Sequence, residues 1–355
     1  MTRKIKPAEL GFHMPAEWHP HAATWLTWPK DPVTWPERVP QVEEIYLQMI
    51  EELTPHEVVN LLVDDFQTEQ AIRQRCNFPS ANNIVFRHFQ TVDSWIRDYG
   101  PNFLIDDEGH SAYNDWEFNA WGDKYEDLRR DDTIPKRLQT SLRLQFFEPG
   151  IVMEGGSIDV NGDGCVLTTE QCLLNKNRNP TLSKEQIEHY LKDYLGVIKV
   201  LWLGDGIVGD DTDGHIDDIA RFVSTDTILC SLEEDPQDPN YELLQDNLQR
   251  LCHMTNARNE PLNVISLPMP GIVGGTSTET RNLDRLPASY ANFYIANKVV
   301  LAPVFGHVND ARAVETLQQV FTDRRVVPIN CEPLVWGMGT IHCVTQQQPG
   351  SNEIM

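Results

Sequence analysis

Cys343 lies near the end of the stretch Cys331 to Pro349 (CEPLVWGMGTIHCVTQQQP), in which Pro333, Gly337 and Gly339 mark a loop. Glycine lets a backbone pass close to a bound ligand because no Cβ stands in the way. The stretch is therefore suited to carrying a thiol into a pocket. Three other places set an acidic residue beside glycine: Asp98 in WIRDYGP, Glu154 in EGGS, and the run Gly209 to Asp218 (GDDTDGHIDD), where His215 and Asp217 stand two positions apart. Taken singly, each has an ordinary reading. Asp98 before Tyr-Gly-Pro suits a turn, Glu154 suits a cap, and 211–218 suits a solvated acidic loop.

Taken together, they describe a site for a small cation. A guanidinium is planar, permanently charged and offers five donors in a fixed fork, which two carboxylates can hold through charge-assisted bidentate hydrogen bonds. A cysteine thiolate can attack its central carbon, while a histidine protonates the departing ammonia and later activates water. Cysteine suits this task because its thiolate is a strong nucleophile accessible near neutral pH, above all beside a cation. The bound substrate would itself favour the thiolate.

The elements that must position these groups follow from local patterning. Thr340 to Thr345 is a β-branched run that predicts a short buried strand carrying Cys343, with His342 on the opposite face as a structural histidine. If 215–217 is also a strand, His215 and Asp217 face one pocket together. Val39 to Leu53 has helical spacing between strands at His21 to Trp28 and Val58 to Val63, and Asn83 to Phe89 and Phe103 to Ile105 are short strands around WIRDYGP. Ser157 to Val160 and Val166 to Thr169 form a hairpin about Asn161-Gly162-Asp163-Gly164. A helix follows with Ser183 and Gln186 as a capping box and Gly196 as its stop, and then the strand VIKVLWL. The same order recurs from Ile216 to Pro268 and again from Ala291 to Ile329, where Asn309 is read as a helix cap, and the first 150 residues divide into two looser copies. Five strand-strand-helix-strand units of roughly 50 to 75 residues imply pseudo-repeats stacked about an axis. The fold class is thus α/β, a closed five-bladed α/β propeller with a central site and one catalytic domain over 1–355. An ordinary two-domain α/β enzyme is the alternative that element order alone leaves open. A disordered tail is expected after Gly350.

Composition narrows the partners. The 355 residues are 40% apolar and 23% charged, and no stretch approaches the ~18 consecutive apolar residues of a membrane helix. The N-terminus lacks the apolar core of a signal peptide, and seven cysteines without a CxxC pair or zinc-like spacing fit a reducing compartment, so the expected location is cytoplasmic. A net charge of −24 argues against nucleic acid and favours a cationic small molecule, although it also serves solubility. Monomer and homo-oligomer are equally compatible with the chain.

WIRDYGP, EGGSIDV, DDTDGHIDDIARFV, SYANFYIAN and GTIHCVTQQQP, in that order, resemble the agmatine deiminase group of guanidino-group-modifying enzymes, which also include bacterial-type peptidylarginine deiminases and arginine deiminase. The resemblance spans about Phe12 to Pro349. It implies the five-bladed propeller fold called the pentein, hydrolysis of agmatine to N-carbamoylputrescine and ammonia within polyamine metabolism, and no cofactor or metal. By motif match it implies Cys343 as the nucleophile of a covalent amidino-thioether intermediate and His215 as general acid and base. Asp98 and Asp217 would bind the guanidinium, Glu154 would support them, Trp95 would wall the channel, and Asp211 would meet the distal amine. Two departures stand out. The group commonly has Asn where this chain has Asp213 and Asp218, and a Gly-Gly-Gly-Asn run where it has Gly337-Met338-Gly339-Thr340. The added carboxylates are expected to charge the pocket rim and to favour a dication such as agmatine over free or peptidyl arginine.

Two rival readings use other residues. Asp159-x-Asn161-x-Asp163-Gly164-x5-Glu170 matches a calcium-loop pattern, but it sits inside a hairpin without flanking helices. A divalent metal on His215, Asp211, Asp213 and Asp217 is chemically possible, yet it lacks a second clustered histidine and leaves Cys343 without a task. Arg97, in WIRDYGP, is expected to pair internally.

Overall fold

The computed structural model describes residues 5–274 and 285–350; the tail expected after Gly350 lies outside the described residues. Among them, the strands form five separate sheets. The first holds β1 (His21–Thr27), β2 (Val58–Val63) and β3 (Ile84–His88), all parallel. The second holds β4 (Asn102–Ile105), β5 (Ser111–Asn114) and β6 (Gln145–Phe147), and the third β7 (Asp159–Val160), β8 (Cys165–Thr169) and β9 (Lys199–Leu203). The fourth holds β10 (Ala220–Phe222), β11 (Thr227–Leu232) and β12 (Asn263–Pro268), and the fifth β13 (Tyr294–Ile295), β14 (Val299–Val304) and β15 (Arg325–Asn330). In each of the last four, two antiparallel strands are followed by a third that returns parallel to the second. That is the ββαβ unit read from the sequence. The final strand, β16 (Thr345–Pro349), pairs antiparallel with β1, so the two ends of the chain complete the first sheet and close the five-bladed ring.

Helices cross over between the paired strands: α1 (Val39–Leu53) and α2 (Phe66–Arg75) in the first blade, then α3 (Ile134–Leu142), α4 (Lys184–Leu195), α5 (Asn240–His253) and α6 (Asp310–Val320), one in each later blade. Helix α1 buries Val42, Ile45, Tyr46, Met49, Ile50 and Leu53, a stripe at three- and four-residue spacing. Each such aliphatic side chain stabilises by roughly 1.5–3 kcal/mol. The capping box of α4 forms as expected, with Ser183 and Gln186 exchanging hydrogen bonds and Gly196 at φ 66°. Asn309 does not cap α6. Its amide donates to the Met269 carbonyl, and Asp310 instead accepts from the backbone N–H groups of Phe305 and His307. None of the described helices is long and apolar enough to cross a membrane.

The centre of the ring is polar. Glu17 is met by Arg221 from β10 at 2.9 Å, by His342 at 2.8 Å and by Arg97 at 3.4 Å, and it accepts from the Ile295 N–H at 2.8 Å. Arg221 also reaches Asp159 of β7 at 3.1 Å, and Arg97 reaches Gln347 of β16 at 2.7 Å, so Arg97 pairs internally as expected. One carboxylate thus ties together residues from several blades beneath the site. Losing one member of such a buried network typically costs about 3–5 kcal/mol, because its partners remain charged and dry.

Candidate active site

Cys343 is not on a strand. Residues 341–344 form turns directly before β16, and Thr345 closes them by donating from Oγ1 to the Ile341 and His342 carbonyls, each at 3.0 Å. The β-branched run predicted a strand, but side-chain to backbone hydrogen bonds of this kind compete with sheet pairing. The glycine argument holds in a specific form: a Cβ on Gly339 would sit 3.1 Å from the Cys343 sulfur and 2.8 Å from the Trp95 ring.

His215 and Asp217 are likewise not on a strand. The Asp210 carboxylate gathers the N–H groups of Thr212 and Gly214 at 2.7 Å each and of His215 at 3.3 Å, folding the run into a loop that ends in a 3-10 turn, Ile216–Asp218. The turn still delivers both side chains to one place. A Cβ on Gly156 would lie 2.6 Å from His215 Nδ1, 2.9 Å from Asp98 Oδ1 and 3.1 Å from Asp217 Oδ2, so this glycine keeps the meeting point of the three open. Asp98, in the one-turn helix Ile96–Tyr99, accepts from the Gly156 N–H and from Trp121 Nε1, both at 2.9 Å. Asp98 Oδ1 lies 3.8 Å from His215 Nδ1, and Glu154 Oε2 lies 4.0 Å from His215 Nε2. The other Glu154 oxygen pairs with Arg178 at 2.5 Å. The Cys343 sulfur is 3.8 Å from Asp217 Oδ2, whose position is set by His342 Nδ1 at 2.7 Å. His342 is thus a supporting histidine, as expected, although it is held by two carboxylates rather than turned away on a strand.

The charges are tuned by burial and by one another. Burial opposes charge on His215, but the Asp98 carboxylate and then Cys172 and Glu154 outweigh it and hold its pKa well above the usual imidazole range. Burial raises Asp98. Burial also opposes charge on Asp217, but the hydrogen bond and charge of His342 prevail and lower it. For Cys343, burial and the carboxylates of Asp217, Asp218 and Asp98 push the thiol well above its usual value. The thiol therefore resists ionisation beside these carboxylates, and a bound cation would offset the repulsion that opposes its charge.

Above this cluster opens a cleft with a water-accessible volume of about 90 Å³. Trp95, Trp121 and Tyr125 wall it, Asp31, Asp93, Asp98 and Asp211 line it, and no Lys, Arg or His is among its described lining residues. Asp211 accepts from the Tyr125 hydroxyl, and burial raises its pKa to about 6. Burial likewise raises Asp93, which holds Trp95 Nε1 at 3.0 Å, to about 7. The loop bearing Trp121 is strained: Ala120, Trp121 and Asp123 all have φ between 55° and 64°, a left-handed conformation costing roughly 1–2 kcal/mol per residue.

The expected extra charge on the rim is absent. Asp213 pairs with Lys124 at 2.7 Å and Arg178 at 2.8 Å, and also takes a hydrogen bond from Asn177 at 2.9 Å. Asp218 is buried and accepts from Asn292 at 3.1 Å; burial and the neighbouring Asp217 push its pKa well above the carboxylate range. Neither residue presents a free anion to the cleft, so discrimination between dications and zwitterions must rest on Asp211 and the lack of lining cations.

The rival sites do not assemble. In the calcium-loop pattern, Asp159 is committed to Arg221, Asp163 to Arg258, and Glu170 to Lys184 and Arg250, while Asn161 folds back on its own hairpin. His215, Asp211, Asp213 and Asp217 do not converge as ligands among the described residues. The metal-compatible set there is Glu154, Cys172 and His215, with ligand atoms within 4.8 Å of one another. Sequence reading missed Trp121, Arg178, Glu17, Cys172 and Asn292. Asn292 lay inside the quoted SYANFYIAN, but nothing local indicates that it reaches Cys343.

Residues 13–349 match the family described as Porphyromonas-type peptidyl-arginine deiminase. The chain is 38% identical to the agmatine deiminase of Ectopseudomonas mendocina over 98% of each sequence. Among solved structures it is similar to agmatine deiminase of Enterococcus faecalis, at 37% identity and TM-score 0.91 over 98% of both chains. It is also similar to a cysteine-to-serine variant of C. jejuni agmatine deiminase with substrate bound, at 28% identity and TM-score 0.84 over 96% of this chain and 97% of that one.

Proposed function

The chain belongs to the Porphyromonas-type peptidyl-arginine deiminase family, and on that premise we propose that it is a hydrolase converting agmatine and water to N-carbamoylputrescine and ammonia. The observation that carries this reading is the convergence of Cys343, Asp217, Asp98 and His215 beside a cleft whose described lining holds Cys343, four aspartates and no Lys or Arg.

Asp98 and Asp217 hold the guanidinium, and its charge offsets the surrounding carboxylates so that the Cys343 proton is released to solvent. The thiolate adds to the guanidinium carbon. The C–N bond to one terminal nitrogen then breaks as His215 gives that nitrogen a proton, releasing ammonia and leaving an amidino-thioether on Cys343. Water adds to the same carbon while neutral His215 takes one of its protons, and the C–S bond breaks to return the thiolate and, as the remaining hydroxyl proton passes to solvent, the ureido product. Glu154, anchored by Arg178, orients His215 from behind. Trp95 walls the channel, and Asp211 pairs with the distal ammonium. No cofactor enters these steps. We further read the whole chain, 1–355, as one catalytic domain. Its acidic surface disfavours nucleic acid and anionic membranes, and seven unpaired cysteines support a reducing, cytoplasmic setting.

The test is ureido-product formation without added metal on agmatine, free arginine and a blocked arginine peptide. Agmatine alone should turn over, because the α-carboxylate of arginine meets Asp211 in a cleft with no Lys or Arg in its described lining, Lys124 being paired with Asp213. Turnover of the peptide would keep the cysteine chemistry and overturn the substrate; silence on all three would overturn the deiminase reading. In the same assay D211N should raise KM for agmatine about tenfold, or ~1.4 kcal/mol, with little change in kcat. Because Asp211 binds the ammonium only when ionised and its pKa is near 6, kcat/KM for agmatine should fall as pH drops through 6. That limb should flatten in D211N.

A further inference from the structure

We propose that Asn292 is a further catalytic residue, whose side-chain amide donates a hydrogen bond to the Cys343 sulfur and stabilises the thiolate that attacks the substrate. The inference rests on the deiminase reading and adds to it a direct partner for the nucleophile.

Asn292 is fully buried and lies just before β13, across the ring from the turn that carries Cys343. The orientation of its amide follows from its neighbours. The His342 N–H, at 3.0 Å, and the Cys343 N–H, at 3.4 Å, can only donate, and the Thr340 hydroxyl lies on the same side at 2.7 Å. The oxygen must face all three. The NH₂ group is thereby directed to the opposite side, where it meets Cys343 Sγ at 3.2 Å and Asp218 Oδ1 at 3.1 Å. The sulfur also lies 3.4 Å from the amide oxygen. One side chain thus serves both forms of the nucleophile: the thiol can donate to Oδ1, and the thiolate can accept from Nδ2.

The need for such a donor is visible in the surroundings. The sulfur is faced by Asp217 and Asp218 from the 3-10 turn and by Asp98 from the one-turn helix, all acting against a negative charge on it. Among the described residues, the Asn292 amide is the side chain that donates to the sulfur, beside a backbone hydrogen bond from Thr340 that favours the same thiolate. Hydrogen bonds to charged groups are the strong ones, so the thiolate gains more from this contact than the thiol does.

The test measures the nucleophile without substrate, so it is independent of whether agmatine proves to be the substrate. The rate of Cys343 alkylation by iodoacetamide is followed against pH, reading the Cys343 peptide by mass spectrometry, in wild type, N292D and N292A. Aspartate keeps an oxygen for the three donors but puts a charged oxygen in place of the NH₂, so the loss of the donor itself is read from the shift shared with N292A. The alkylation profile should move up by at least about one pH unit, a tenfold loss of thiolate at a given pH, and kcat/KM should fall at least as much. A folded N292D or N292A whose alkylation profile overlays that of wild type overturns the proposal. Should N292D not fold, N292A removes the donor without adding a charge and is read in the same way. In wild type labelled with ¹⁵N-asparagine, one side-chain amide pair should titrate together with the thiol and stay still in C343A; its absence also overturns the proposal.

Discussion

Cys343→Ala is expected to abolish ammonia release from agmatine, by at least about 10⁴-fold in kcat, while the protein melts as a folded chain. The size follows from the chemistry. Without sulfur there is no covalent intermediate, and water would have to displace ammonia directly from a resonance-stabilised cation. The remaining carboxylates would still bind that cation, but binding it equally in ground and transition states gives no rate. Folding should survive, because the Asn292 amide keeps Asp218, and its oxygen keeps Thr340 and His342. Cys343→Ser should be almost as inactive, since a hydroxyl among Asp98, Asp217 and Asp218 is far harder to ionise than a thiol. Calorimetry gives a second reading. The carboxylates that hold the cation remain, so C343A should still bind agmatine and release no product. More than a few per cent residual turnover in either variant would falsify the covalent mechanism.

The repeat order and the chemistry were legible in the sequence because both are written locally. Four hairpin-helix-strand units show themselves through turn glycines, caps and apolar spacing, whereas the first blade is three parallel strands and has no hairpin of its own. What escaped depends on partners distant in the chain. The pairing of β16 with β1, which closes the ring, joins Thr345 to Leu26, and no local pattern encodes it. The strand expected at 215–217 failed because the Asp210 side chain captures three backbone donors, a competition that residue alternation does not register. The acidic rim was misjudged for the same reason. Formal charge is counted residue by residue, whereas Asp213 is neutralised by Lys124 and Arg178, which come from two other segments. Asn292 and Trp121 carry no titratable group and sit far in sequence from Cys343 and Asp98, so their roles appear only when the blades are assembled.

His215→Gln should lower kcat by about 10²–10⁴-fold, the range for removing a general acid-base, with KM for agmatine changed far less. Glutamine fills much of the space and can still form hydrogen bonds, but it cannot pass a proton to the leaving nitrogen or take one from water. Both half-reactions therefore slow, while the residues that hold the cation remain. The pH dependence identifies the residue at work. Since Asp98, Cys172 and Glu154 hold the pKa of His215 well above the ordinary imidazole value against burial, the imidazolium persists to higher pH than in solution. The rate should accordingly fall on the alkaline side, as the acid that protonates ammonia is lost. Removing the Asp98 charge lowers the pKa of His215, so in Asp98→Asn this alkaline limb should shift to lower pH, on top of the weaker binding of the guanidinium. In His215→Gln the limb assigned to the imidazole should disappear, and alkylation of Cys343 by iodoacetamide should continue. An alkaline limb that stays in place in both variants would mean that some other group supplies the proton, and His215 would be left with an electrostatic role alone.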